Sequence, residues 1–278
     1  VRTFARWLSG FLLGLALPLA PLPAQSSAEP FKVGVAPHTS ARFILEQYQP
    51  LRTYLEKALG AEVEIVTAPD FSEFARQALS QKYDIAITTG HQARLLQLDA
   101  GYAPLLTYKA DFKSLVVVTA KGGIREAADL KNKTVIGLSP SSLVTLWGES
   151  WLRRMGRTDV TLRYVSAADS VGQLLLVGEG SAGLMSLPNF QNLAPEVKAG
   201  LRVLAESPAL AGRVYMLNKR QQSRQAAIDA ALWAFSKTPE GRQYLEKNNL
   251  GGYRKLRKGE LEAMSPYAAE VRRILGTK

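Results

Sequence analysis

Two histidines, His38 and His91, supply the imidazoles of a 278-residue chain that contains no cysteine. Neither has a second nitrogen or sulfur ligand at the spacing a transition metal requires. The missing thiols also exclude a cysteine nucleophile, a thiolate metal site and a disulfide framework. No Gly-x-Ser-x-Gly elbow, Walker loop or Gly-x-Gly-x-x-Gly turn follows a strand, and the carboxylates form no recognisable pair. The chemistry on offer is recognition by hydrogen bonds, with no catalytic residue, no metal and no cofactor expected.

Hydrogen-bond donors gather in short polar loops. Gly137-Leu138-Ser139-Pro140-Ser141-Ser142 leaves one apolar run and opens a helical one. There the Ser141 and Ser142 hydroxyls and the first free amides of the helix suit an anion, while Ser141 is equally suited to capping that helix. Thr88-Thr89-Gly90-His91 repeats the arrangement, with Thr89 and His91 at a strand end where His91 begins a helix. In Ala36-Pro37-His38-Thr39-Ser40, Thr39 and Ser40 are expected to cap the helix that follows.

The elements that must carry these loops alternate. Strands are expected at 32–36, 62–68, 83–88 and 103–108, separated by helices at 42–59, 71–81 and 91–98. A second set has strands at 134–138, 161–165 and 183–187 with helices at 142–155, 170–177 and 189–199. Such alternation calls for two α/β lobes, each a parallel sheet with helices on its faces and ligands met at the strand ends. Pro50 inside the first helix is expected to bend it at Tyr48-Gln49. Segments 114–120 and 213–218 read as the two crossings between lobes, hence a hinge. Helices at 224–236, 239–247 and 258–275 return to cover the first lobe, with Leu232, Trp233, Phe235 and Leu245 in its core. The lobes then comprise 29–115, 116–212 and the returning 213–278.

Val1 to Ala28 reads as a secretory leader: Arg2 and Arg6, an apolar run from Trp7 to Leu22, then small residues. Cleavage after Ala28 or Ala24 fits. A retained membrane anchor is the alternative, opposed by Gly10, Gly14, Pro18 and Pro21 and by a run shorter than the ~20 residues a span needs. The net charge is +11, with Arg2 and Arg6 inside the leader. Export argues against nucleic acid as the partner of this basic surface, and no stable membrane insertion is expected after cleavage.

With these residues in view, the chain resembles the periplasmic phosphate, phosphite and phosphonate substrate-binding proteins of ABC transporters. The resemblance rests on Phe31-Lys32-Val33-Gly34-Val35, the run from Tyr48 to Glu56 before Leu59-Gly60, Ala68-Pro69-Asp70-Phe71, Tyr83-Asp84-Ile85-Ala86, and the serine-rich loop after Gly137. It implies a type II periplasmic binding protein fold of two mostly parallel α/β lobes on a two-strand hinge. It also implies periplasmic capture of a small anion and delivery to an ABC permease; a ligand sensor for a histidine kinase and a small-molecule enzyme are the rival readings. Carried over by position, it places Phe71, Phe112, the loop from Ser141 through Ser142 to Thr145, Asn189 and Arg213 at the cleft. Phe71 and Phe112 stand where phosphonate binders have tyrosine, Ser142-Leu143-Val144 where they have Ser-Thr-Ser, and Asn189 and Arg213 where they have acids for an amine.

Overall fold

The computed structural model describes residues 29–276, so the leader expected over Val1 to Ala28 lies outside the described residues. One sheet contains β1 (Phe31–Val35), β2 (Val63–Val66), β3 (Ile85–Thr89), β4 (Ala103–Tyr108), β10 (Arg213–Leu217) and β11 (Tyr253–Arg254), in the order β11-β4-β10-β3-β1-β2. The other contains β5 (Ser114–Thr119), β6 (Thr134–Gly137), β7 (Thr161–Tyr164), β8 (Ala182–Ser186) and β9 (Leu201–Glu206), in the order β7-β6-β8-β5-β9. Each sheet has a parallel half, β2-β1-β3 or β7-β6-β8, continued by antiparallel strands.

The antiparallel strands correct the expected crossings. Strand β5 lies wholly in the second sheet, paired with β8 and β9, and β10 lies wholly in the first, between β3 and β4. Each has a buried apolar run, Leu115 to Val118 or Val214 to Leu217, which a sheet centre accommodates better than an exposed connection. The chain crosses between sheets in the segments 109–113 and 207–212. These run side by side, with an isolated bridge between Phe112 and Leu210 in which the Leu210 amide donates to the Phe112 carbonyl at 2.8 Å.

Helices α1 (Ala41–Leu59), α2 (Phe71–Leu79) and α3 (Gly90–Asp99) serve the first sheet, joined by α8 (Gln225–Phe235), α9 (Pro239–Lys247) and α10 (Ser265–Leu275). Helices α4 (Leu143–Arg154), α5 (Ala168–Leu176), α6 (Leu187–Gln191) and α7 (Pro195–Ala199) serve the second. Helix α1 runs unbroken through Pro50, contrary to the expected bend. Ile44, Tyr48, Leu51 and Leu55 form one fully buried stripe along it. At roughly 1.5–3 kcal/mol for each such side chain, that stripe outweighs the roughly 3 kcal/mol cost of an interior proline.

Two expected helices are shorter than the pattern suggested. Residues 189–199 divide into α6 and α7, because Pro188 and Pro195 each open a first turn. Residues 258–275 begin with Gly259 at φ +80° and a single tight turn before α10, whose first turn holds Pro266. Ser40 occupies the start of α1 but its side chain makes no capping bond. Strand β9 was not foreseen: it is an edge strand, half exposed, with little alternation. The expected core residues Leu232, Phe235 and Leu245 are buried, and Trp233 packs at the rim of the same cluster.

Candidate functional site

The two lobes meet through polar contacts between loops at their strand ends. His91, at the start of α3, donates from Nε2 to the Ser141 carbonyl at 2.9 Å, and the Ser72 and Ser141 hydroxyls lie 2.8 Å apart. The Asn189 side chain donates to the His38 carbonyl at 3.2 Å. On the far side of the cleft, Asn249 donates to the side-chain oxygen of Asn192 at 3.0 Å. Helix α10 adds an apolar contact, with Ala268 and Val271 in one cluster with Leu146 of α4.

Two adjoining cavities lie between the lobes, with His38 and Asn189 on the walls of both. The smaller, about 30 Å³, has Phe71, Thr89, Phe112, Ser142 and Asn189 in its lining, together with Leu138, Leu143 and Val144. Its space is close to that of one water molecule in the liquid, so it suits a single small group. The larger, about 590 Å³, is walled on one side by the start of α1, Arg213 and Asn248, and on the other by the start of α5 and the α6–α7 turn. Arg213 therefore faces the larger space and not the smaller.

Five of the expected site residues, Thr89, His91, Ser141, Ser142 and Thr145, are engaged with neighbours. His91 is fully buried; its Nδ1 takes a hydrogen bond from the Thr89 hydroxyl at 3.1 Å while Nε2 holds Ser141. Ser142 caps α4 through the Thr145 amide, and its hydroxyl donates to the Thr145 hydroxyl, which in turn donates to the Leu138 carbonyl. This assigns the cap to Ser142, not Ser141, whose hydroxyl bridges to Ser72. Burial pushes the His91 pKa down to about 4, so its ring is a neutral strut between lobes.

Arg213 sets the electrostatics of the larger cavity. It begins β10, directly after the second crossing, and its guanidinium lies 2.9 Å from His38 Nε2 and 3.3 Å from the Tyr48 hydroxyl, 5.2 Å above the Tyr108 ring. Nδ1 of His38 is 2.9 Å from the Ala36 carbonyl and so carries the proton, which leaves the Nε2 lone pair to accept from Arg213. Burial and the Arg213 charge push the His38 pKa down to about 3, so the pair carries one positive charge. Behind it the Tyr108 hydroxyl lies 2.6 Å from that of Tyr244 and 2.7 Å from that of Tyr215, which is 3.1 Å from that of Tyr253. Burial raises the pKa of Tyr108, Tyr215, Tyr244 and Tyr253, so these rings stay neutral. Burial opposes the charge on Arg213, and the Tyr48 hydroxyl oxygen and the Tyr108 ring face, both uncharged, are turned toward it. The partners of Arg213 are thus an imidazole, a phenol and a ring face, none of which neutralises it.

Several lining residues gave no sequence signal: Phe43, Gln47, Gln173, Asn192 and Asn248 lie at ordinary helical or turn positions. His38 had one, since it follows β1 as His91 follows β3. Among the described residues no three histidine, aspartate or glutamate side chains converge in a way that would hold a metal ion.

A pair of α/β lobes, twice connected and with a cavity between them, defines the type II periplasmic binding protein fold. The chain matches the family model "ABC transporter, phosphonate, periplasmic substrate-binding protein" over residues 33–261, and it belongs to that family. The description of this family is that of a periplasmic substrate-binding component of an ABC transporter. Solved structures agree in fold. PhnD1 of Prochlorococcus marinus, in complex with methylphosphonate, has a TM-score of 0.76 at 16% identity, covering 89% of this chain and 98% of its own. A binding protein component of an ABC phosphonate transporter from Pseudomonas aeruginosa gives 0.77 at 15%, covering 88% and 87%. A Xanthomonas citri protein bound to ATP gives 0.72 at 19%, covering 89% and 98%.

Proposed function

We propose that this protein captures an organic anion between its lobes, chiefly through Arg213, and presents it to the permease of an ABC transporter. The observation that carries the reading is a guanidinium held on neutral partners at the wall of an interlobe cavity. A desolvated cation without a carboxylate is costly, and an anionic ligand relieves that cost with hydrogen bonds of about 1.5–3 kcal/mol each. The start of α1 supports it: its cap residue makes no side-chain bond and its first turn holds no acid, so its amides remain available to an anion. The related structures hold methylphosphonate and ATP, two anions of very different size. In this reading one lobe is built on 29–108 with 213–278 and the other on 114–206, so the boundary falls before β5 and not after residue 115, and movement is absorbed near the Phe112–Leu210 bridge. The leader read in Val1 to Ala28 delivers the chain to the periplasm.

Thermal unfolding with phosphate, methylphosphonate and larger organic anions tests the reading. A bound anion at about a hundred times its dissociation constant adds ~2.7 kcal/mol to the folded state, and Arg213→Met removes that gain. Small-angle scattering of the same samples is expected to show a smaller radius of gyration with ligand. No stabilisation by any anion, or equal stabilisation of wild type and Arg213→Met, refutes the role of Arg213.

A further inference from the structure

We infer that the ligand is a hydroxyl-rich organic anion, of the class of sugar phosphates and sugar acids, whose hydroxyls are read by carboxamides around the large cavity. The inference rests on the anion-binding role of Arg213 and narrows it. Size is the first ground. At about 590 Å³ the cavity falls within the roughly 300–1,000 Å³ that whole organic molecules occupy, whereas the phenylalanine-lined space beside it is about 30 Å³.

The second ground is the polarity of the wall. Gln47 and Asn248 face the cavity from the first lobe, and Gln173, Asn189 and Asn192 from the second. Asn189 donates its amide to His38 and Asn248 donates its amide to the Tyr244 carbonyl at 2.7 Å, so each offers an oxygen to the cavity. Asn192 accepts from Asn249 and offers its NH₂. The wall therefore presents acceptors and donors side by side. A bare oxyanion has only acceptors and leaves the Asn189 and Asn248 oxygens unanswered; a hydroxyl both donates and accepts and answers either kind. The exposed Asp169 carboxylate, at the start of α5, is one more acceptor on this wall.

The third ground is Phe43. In the first turn of α1 it is 49% exposed and stands on the cavity wall, which also carries Leu174, Leu193 and Val197 from the second lobe, so apolar surface alternates there with the carboxamides. The hydrogen-bearing face of a sugar ring would remove that apolar surface from water while its hydroxyls meet the amides. Arg213 then receives the phosphate or carboxylate.

Calorimetry on the purified protein with glucose 6-phosphate, glucuronate, glucose, methylphosphonate and inorganic phosphate tests this. At least one sugar anion is expected to bind tenfold or more tightly than methylphosphonate, phosphate and neutral glucose, and the two sugar arms tell phosphate from carboxylate recognition. Gln173→Leu, an exposed change on α5, is expected to weaken the favoured sugar anion about tenfold with an unchanged unfolding midpoint. If methylphosphonate or phosphate binds as well as both sugar anions, or Gln173→Leu has no effect, the inference is overturned while the anion-binding function stands. If none of the anions binds, both fall together.

Discussion

Lowering the pH from 7 to 5 is expected to destabilise the protein through His91 before any carboxylate contributes. Unfolded, this histidine titrates near 6.5; folded, burial between the lobes holds it near 4. Between those values the unfolded chain binds a proton that the native chain refuses, so stability falls as pH falls. At pH 5 the unfolded group is 1.5 units below its pKa, which corresponds to about 2 kcal/mol, with a slope close to 1.4 kcal/mol per pH unit. His38, held near 3, contributes a parallel slope over the same interval, and these are the two histidines of the chain. Urea unfolding at pH 7, 6, 5 and 4.5 for wild type and His91→Gln measures the difference; glutamine retains a donor toward the Ser141 carbonyl. The variant should lose about half the slope between pH 6 and 4.5. Identical slopes in the two proteins would refute the assignment of His91 as a buried neutral strut.

Two further outcomes follow from the same structure. A Cβ at Gly90 would stand 2.3 Å from that of Ala211 in the second crossing, so Gly90→Ala should cost roughly 1–3 kcal/mol by overpacking, read in the same unfolding assay; a neutral result would mean that the crossing yields freely. Export predicts a mature amino terminus at Gln25 or Glu29 and recovery without detergent, and sequencing that finds Val1 to Ala24 intact in a membrane fraction would reverse that assignment.

Much of the fold was legible because local signals agree with it. The strands ending at Val35 and Gly137 lead through a polar loop into a helix and the one ending at Thr89 leads straight into one, and alternation of this kind needs no partner to be recognised. Pairing is another matter. That β10 inserts between β3 and β4 depends on contacts across more than a hundred residues, and nothing near Arg213 announces it. The split at Pro195 was readable in principle, since a proline inside an expected helix marks a first turn. For the site, Phe71, Thr89, Phe112, Ser142 and Asn189 do share one small cavity, but Arg213 opens onto the larger one. The phenols around Arg213 come from positions 48, 108, 215, 244 and 253, a set with no spacing to betray it.

The placement of the C-terminal helix separates how tightly the protein binds from what it binds. Helix α10 packs on α3 of the first lobe, yet it also meets α4 of the second, where Ala268 and Val271 share an apolar cluster with Leu146. That contact contributes only while the lobes are together, with or without a guest. The measured dissociation constant is the intrinsic one divided by the fraction of molecules already closed. A smaller side chain at Val271, which lines neither interlobe cavity, therefore rescales the constant for every guest by one common factor. On the proposed reading of the cavity wall, changes at Gln173 or Asn192 are expected to reorder the guests instead. Sensitivity and selectivity are thereby assigned to different stretches of chain, and either can drift under selection without disturbing the other.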